Sequence, residues 1–123
     1  MLAKPHRLRK FRDFSRVYKK GVRNRTDCFA ICVYQRSPQS GALAEPDLTR
    51  IGITVGYKVS KKAVVRNRVK RRIRAACQHL LPQIVPGRDV VITARSAAAQ
   101  CDYPEFLQQL KQLFTNAEIL HGH

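Results

Sequence analysis

The chain has 123 residues, 44% of them hydrophobic, with 24 Lys and Arg against 8 Asp and Glu for a formal net charge of +16. This length suits one domain whose core needs no metal or disulfide staple, and the apolar content sets it apart from a disordered basic tail. Such a charge excess repels itself and points to a polyanionic partner, nucleic acid ahead of an anionic membrane.

Residues 1–10 read as a basic, extended arm, and Met1-Leu2-Ala3-Lys4-Pro5-His6 lacks the apolar stretch of a secretory signal. Phe11, Phe14, Val17 and Tyr18 then form one helical stripe within FRDFSRVYKK, and Gly21 is a natural stop. Residues 22–27 read as a polar turn. Cys28–Arg36 reads as a strand with Phe29, Ile31 and Val33 on one face and Ala30, Cys32 and Tyr34 on the other. Ser37–Asp47 carries Pro38, Gly41 and Pro46 and reads as a connection. Arg50–Tyr57 alternates Ile51, Ile53 and Val55 as a second strand. A long helix over 62–80 presents Val65, Val69, Ile73, Ala76 and Leu80 at intervals of three and four residues, and ends at Pro82 and Pro86-Gly87. Asp89–Ala94 suits a strand buried on both faces. A last helix begins near Pro104 with Glu105 at its positive end, and Phe106, Leu107, Leu110, Leu113 and Phe114 form its apolar face. The expected fold is α+β, one domain over residues 1–123 in the order αββαβα with room for an extra strand within 37–50. Its mixed sheet packs with helices, and 117–123 is a short tail. No apolar run approaches the roughly 18 residues of a membrane span. The cytoplasm is the expected compartment.

Cys28, Cys32, Cys77 and Cys101 contain no C-x-x-C pair, and the four histidines show no ligand spacing. Two disulfides are possible by number, but separate buried thiols are the favoured reading, and no metal site is expected in the protein.

The cations cluster. Residues 1–27 hold ten Lys or Arg and two Asp, and residues 58–74 hold nine and no acid. An ordinary solvated helix interleaves Glu with Lys; here Asn67, Lys70, Arg71 and Arg74 share one exposed face, while Arg66, Arg68 and Arg72 flank the apolar stripe. Stacked like charges call for an external anion. Arginine grips phosphate with a planar fork, and Asn67 can reach a base edge or a sugar hydroxyl. Phe11, Phe14 and Tyr18 divide between core and the stacking of single-stranded bases among cations.

The run Lys58-Val59-Ser60-Lys61-Lys62-Ala63-Val64-Val65-Arg66-Asn67-Arg68-Val69-Lys70-Arg71-Arg72-Ile73-Arg74 resembles the signature of the bacterial ribonuclease P protein family, with Arg66-Asn67-Arg68 as its core. Flanking features fall in the family's order: Asp13-Phe14, Val17-Tyr18 and Gly21, then Arg50–Val55, Asp89–Ile92 with Ala94-Arg95, and Leu113-Phe114. The resemblance covers about residues 7–116.

The resemblance implies that the chain helps a catalytic RNA remove the 5′ leader of precursor tRNA. Lys58, Lys62, Arg66, Asn67, Arg68, Lys70, Arg71 and Arg74 would meet the RNA subunit and nearby substrate. Phe14 and Tyr18, with the open face of the sheet, would form a cleft for the leader. Lys58 takes the second of two family lysines, with Tyr57 in the place of the first. The aromatic that the family's first strand adds to the cleft falls at Cys32, and Tyr34 shares its strand parity. A left-handed β-α-β crossover around the basic helix is expected from the family alone, since general chirality rules favour the right hand.

The eight acids are scattered, so no catalytic residue is expected in the protein. In the family, Mg2+ is held by the RNA subunit. Helix-turn-helix spacing is missing, so DNA is not the expected partner, and neither is a membrane. The alternative function is that of a ribosomal protein or a general RNA chaperone.

Overall fold

The computed structural model describes residues 6–36 and 48–120. The helical stripe of the first cationic segment is realised as α1, Phe11–Lys20. It leads through Gly21 into β1, Val22–Arg25, and β2, Phe29–Gln35. β3, Arg50–Thr54, is followed by α2, Ala63–Leu80, then β4, Arg88–Ala94, and α3, Tyr103–Asn116. Short 3-10 turns at Leu81–Gln83 and Ser96–Gln100 join the last elements. Three helices and a four-stranded mixed sheet of order β1-β2-β4-β3 make an α+β fold. β1–β2 and β2–β4 pair antiparallel, while β3 and β4 are parallel neighbours joined by a crossover through α2.

Period-two alternation divides the two faces of the sheet. Phe29, Ile31, Ile51, Val90 and Ile92 face Val69, Ile73, Leu80, Phe106, Leu110 and Phe114 in the main core. There Phe29 and Phe106 meet edge to face at 4.9 Å, a geometry that ring quadrupoles favour. On the opposite face Cys32 and Val91 meet Val17 of α1 and Leu8, with Phe14 and Tyr34 at the margin. Two glycines set how closely α1 lies. A Cβ at Gly52 would stand 2.5 Å from Phe14 Cζ, and one at Gly21 would stand 2.6 Å from Cys32 Sγ. Asp102 caps α3 by accepting from the Glu105 amide at 3.0 Å.

Several expectations are corrected. Residues 22–25 form β1, where a polar turn was expected, so the order is αβββαβα. VRNR escapes detection because an edge strand is held by backbone pairing and needs no apolar alternation. Room for an extra strand in 37–50 falls mostly outside the described residues. β3 stops at Thr54, short of Tyr57, because the chain turns at Gly56, whose carbonyl accepts from the Val59 amide at 3.1 Å. The arm and tail are packed where they are described. Leu8 is buried and its amide donates to the Ile51 carbonyl, while Ile119 and Leu120 are buried and Leu120 bridges Ile84. Cys28 and Cys101 are joined in a disulfide rather than standing as separate thiols; residues 73 positions apart met in space in a way that spacing could not reveal. Cys32 and Cys77 are buried free thiols, as expected.

Candidate nucleic-acid interface

α2 buries Val69, Ile73, Ala76, Cys77 and Leu80 and turns its cations outward. Asn67, Arg68 and Arg71 are exposed, and Lys70 and Arg74 are half-buried. None of these five side chains has a hydrogen-bond or ion-pair partner among the described residues. Two arginines of the helix are instead built into the fold. Arg66 donates to the Ser60 carbonyl at 3.0 Å, and Arg72 donates to the Cys101 carbonyl at 3.2 Å. No acid stands in the first turn of α2, and Lys58, Lys61 and Lys62 are exposed just before it. Their charges add to the positive end of the helix dipole, which concentrates positive potential there.

A groove of about 440 Å³ lies on the sheet face that α1 covers only in part. Tyr18, Arg23, Arg25, Ala30, Cys32 and Thr93 are among its lining residues. Strand register explains the lining. Arg23 stands opposite Cys32, and Arg25 opposite Ala30, so both arginines share the face of those floor residues. Ala30 in turn stands opposite Thr93, and Thr93 beside Thr54, whose hydroxyls lie 3.3 Å apart. The floor is therefore small and flat, with cations at the β1 edge. Arg23 is held in place by donating to the Tyr18 carbonyl at 2.8 Å. Burial pushes the Cys32 thiol above its ordinary value, with Arg23 pulling the other way. The thiol donates to the Val17 carbonyl at 3.1 Å, so it serves the α1 contact.

Of the aromatics expected in the cleft, Tyr18 lines the groove and is 40% exposed. Phe14 is half-buried with its ring against Gly52, and Tyr34 is half-buried in the small cluster under α1. Neither of these two lines the groove. Lys58 and Lys62 stand exposed ahead of α2, joining the cationic surface that the helix continues. Sequence reasoning missed Arg23 and Arg25; their period-two spacing after Gly21 was the available signal.

The carboxylates do other work. Asp89 is fully buried and accepts two bonds from Arg50, at 2.9 and 2.8 Å, while Arg50 also reaches Asp13 at 3.3 Å. The Asp89 carboxylate raises the Arg50 pKa, ahead of the opposing cost of burial. Asp102 is spent on the α3 cap. Cys28, Cys101 and Glu105 bring ligand atoms within 4.8 Å of one another, but the two sulfurs are bonded to each other and are not thiolate ligands. No described helix is long and apolar enough to cross a membrane.

A family model described as Ribonuclease P matches residues 2–118. The Ribonuclease P protein component of a Cyanothece species is 49% identical over 131 residues, with 100% of each chain covered. That of a Picosynechococcus species is 52% identical over 122 residues, covering 99% of this chain and 98% of the relative. Among solved structures, a Staphylococcus aureus RNase P protein mutant with defective mRNA degradation activity matches with a TM-score of 0.82 at 29% identity, covering 95% of this chain and 92% of that one. The RNase P protein from Thermotoga maritima matches with a TM-score of 0.74 at 26% identity, covering 89% and 96%.

Proposed function

Because the chain belongs to the ribonuclease P protein family, we propose that it binds the RNA subunit through the outer face of α2 and takes the 5′ leader of precursor tRNA into the groove beside Tyr18. The protein component is part of an endoribonuclease complex that processes tRNA. The observation that carries this proposal is the set Arg68, Lys70, Arg71 and Arg74, four cations on one helix with no protein partner among the described residues. Desolvating and stacking such charges is unfavourable until phosphates neutralise them, so RNA backbone is the fitting ligand.

The reading assigns no bond-breaking step to this chain. Asp13 and Asp89 are neutralised by Arg50 under α1, so they are not free to hold a metal beside the basic helix. The hydrolytic Mg2+ would be held by the RNA subunit, while the protein screens phosphate repulsion and positions substrate. The groove supports leader binding by its shape. A flat floor with one aromatic wall and an arginine edge admits a single strand without reading its sequence. We place this activity in the cytoplasm, within the single unit read from the sequence.

The test is reconstitution with the cognate RNA subunit and precursor tRNA at low magnesium. The protein alone should not cleave, and adding it to the RNA should lower the magnesium required. Replacing Arg68, Lys70 and Arg71 together with Ala should weaken RNA-subunit binding and flatten the log K against log salt slope by about 0.7–0.9 per lost phosphate contact. Stability should move by no more than about 0.5 kcal/mol per site. Binding with an unchanged slope would remove this face from the interface. Stimulation that ignores the leader would favour a general RNA chaperone.

A further inference from the structure

Tyr57 is 74% exposed, although tyrosine is a large aromatic that ordinarily buries most of its ring. The turn that carries it is tied by hydrogen bonds and by one buried side chain. Val59 is buried beneath the turn, its amide donates to the Gly56 carbonyl at 3.1 Å, and the Ser60 hydroxyl accepts from the Lys62 amide at 3.1 Å. One face of the Tyr57 ring is already occupied by the Arg66 guanidinium, 4.6 Å from the centroid. That guanidinium is itself held by its bond to the Ser60 carbonyl. The result is a two-layer stack whose outer aromatic layer is presented to solvent.

We propose that Tyr57, backed by Arg66, is a stacking platform for one unpaired nucleobase of RNA. The surroundings select the ligand class. Residues 58–74 contain nine cations and no acid, so the occupant must belong to a polyanion, and a flat ring surface calls for a planar partner. A nucleotide supplies both. Duplex bases are already stacked on their neighbours, which leaves single strands, bulges and loops as donors of the base. A cation on the buried face of the ring complements stacking of an electron-rich base on the free face. The site lies beyond the phosphate contacts proposed for α2 and rests on the same reading of the chain as an RNA binder. A lysine at position 57 would serve as a point charge for phosphate, whereas this residue offers a contact that salt does not weaken.

The chain contains no tryptophan, so Tyr57→Trp places a sole, environment-sensitive reporter on the platform. The full-length variant is titrated with a short oligoadenylate and with inorganic polyphosphate. Oligoadenylate should quench the emission, while polyphosphate, which binds the same cations without a base, should not. Alongside this, Tyr57→Ala should weaken oligoadenylate binding roughly 5- to 150-fold, the equivalent of about 1–3 kcal/mol for one stacked base. Its log K against log salt slope and melting temperature should match wild type, and Tyr57→Phe should bind as wild type does. Equal quenching by both ligands, no quenching by either, or an unchanged affinity for Tyr57→Ala overturns the platform alone. Failure of wild type to bind oligoadenylate at all overturns the RNA-binding reading with it.

Discussion

Asp89 is fully buried yet charged, and it survives because Arg50 meets both of its oxygens while Arg36 stands 3.6 Å away. Through Asp13, the same arginine ties α1 to the sheet. A buried carboxylate of this kind stabilises the fold only as long as its partners remain; removing one side leaves the other charge desolvated. Replacing Asp89 with Asn should therefore lower the unfolding free energy by about 3 kcal/mol in urea titration, toward the low end for buried pairs because Arg50 is 26% exposed. A change below about 0.5 kcal/mol would mean that the pair is effectively solvated. None of this convergence was legible in the sequence, where residues 13, 50 and 89 look like isolated charges. The same limit separates Phe14 from Tyr18. Helical spacing puts both on one side of α1, but only Gly52 on a distant strand decides that Phe14 lies down on β3. Tyr18, one turn further on, reaches the groove.

Elements with a buried stripe were readable almost to the residue. α1 spans the expected 11–20, and α2 the expected run up to Leu80, although of the α1 stripe only Val17 is fully buried and Phe11 is exposed. β1 was not readable, since its Arg23 and Arg25 satisfy the groove rather than the core. Together α1 and β1 form the groove walls, which gives a test at this scale. Tyr18→Ala should weaken precursor tRNA by about 1–3 kcal/mol per base stacked while leaving mature tRNA, which has no leader, unaffected. Arg25→Ala should act on precursor tRNA alone as well, flattening its salt slope by about 0.7 for the single-stranded contact. Fluorescence titration of the two tRNAs with each variant checks both statements. Equal losses for both tRNAs, accompanied by a fall in melting temperature, would instead make Tyr18 a packing residue.

For the molecule as a whole, +16 on 123 residues means that folding gathers charges which would rather stay apart. Stability and binding should then respond to salt in opposite directions. Raising NaCl screens the self-repulsion and should raise the melting temperature of the free protein, while the same change weakens its complex with RNA through counterion competition. Calorimetry of the free chain and titration of the complex over one salt series test this directly, and a melting temperature that falls with salt would contradict it. Composition alone announced this tension. What it could not announce is where the charge lies relative to the chain path.

Because α2 is the crossover between the parallel neighbours β3 and β4, the order of folding is constrained. Hairpin-like pairing of β1 with β2 is local, but β4 cannot join β3 until the most cationic stretch of the chain has been wound up and brought back across the sheet. The step that completes the sheet is thus also the step that concentrates the positive charge. A polyanion that screens this charge should therefore speed refolding, which stopped-flow refolding with and without polyphosphate would check.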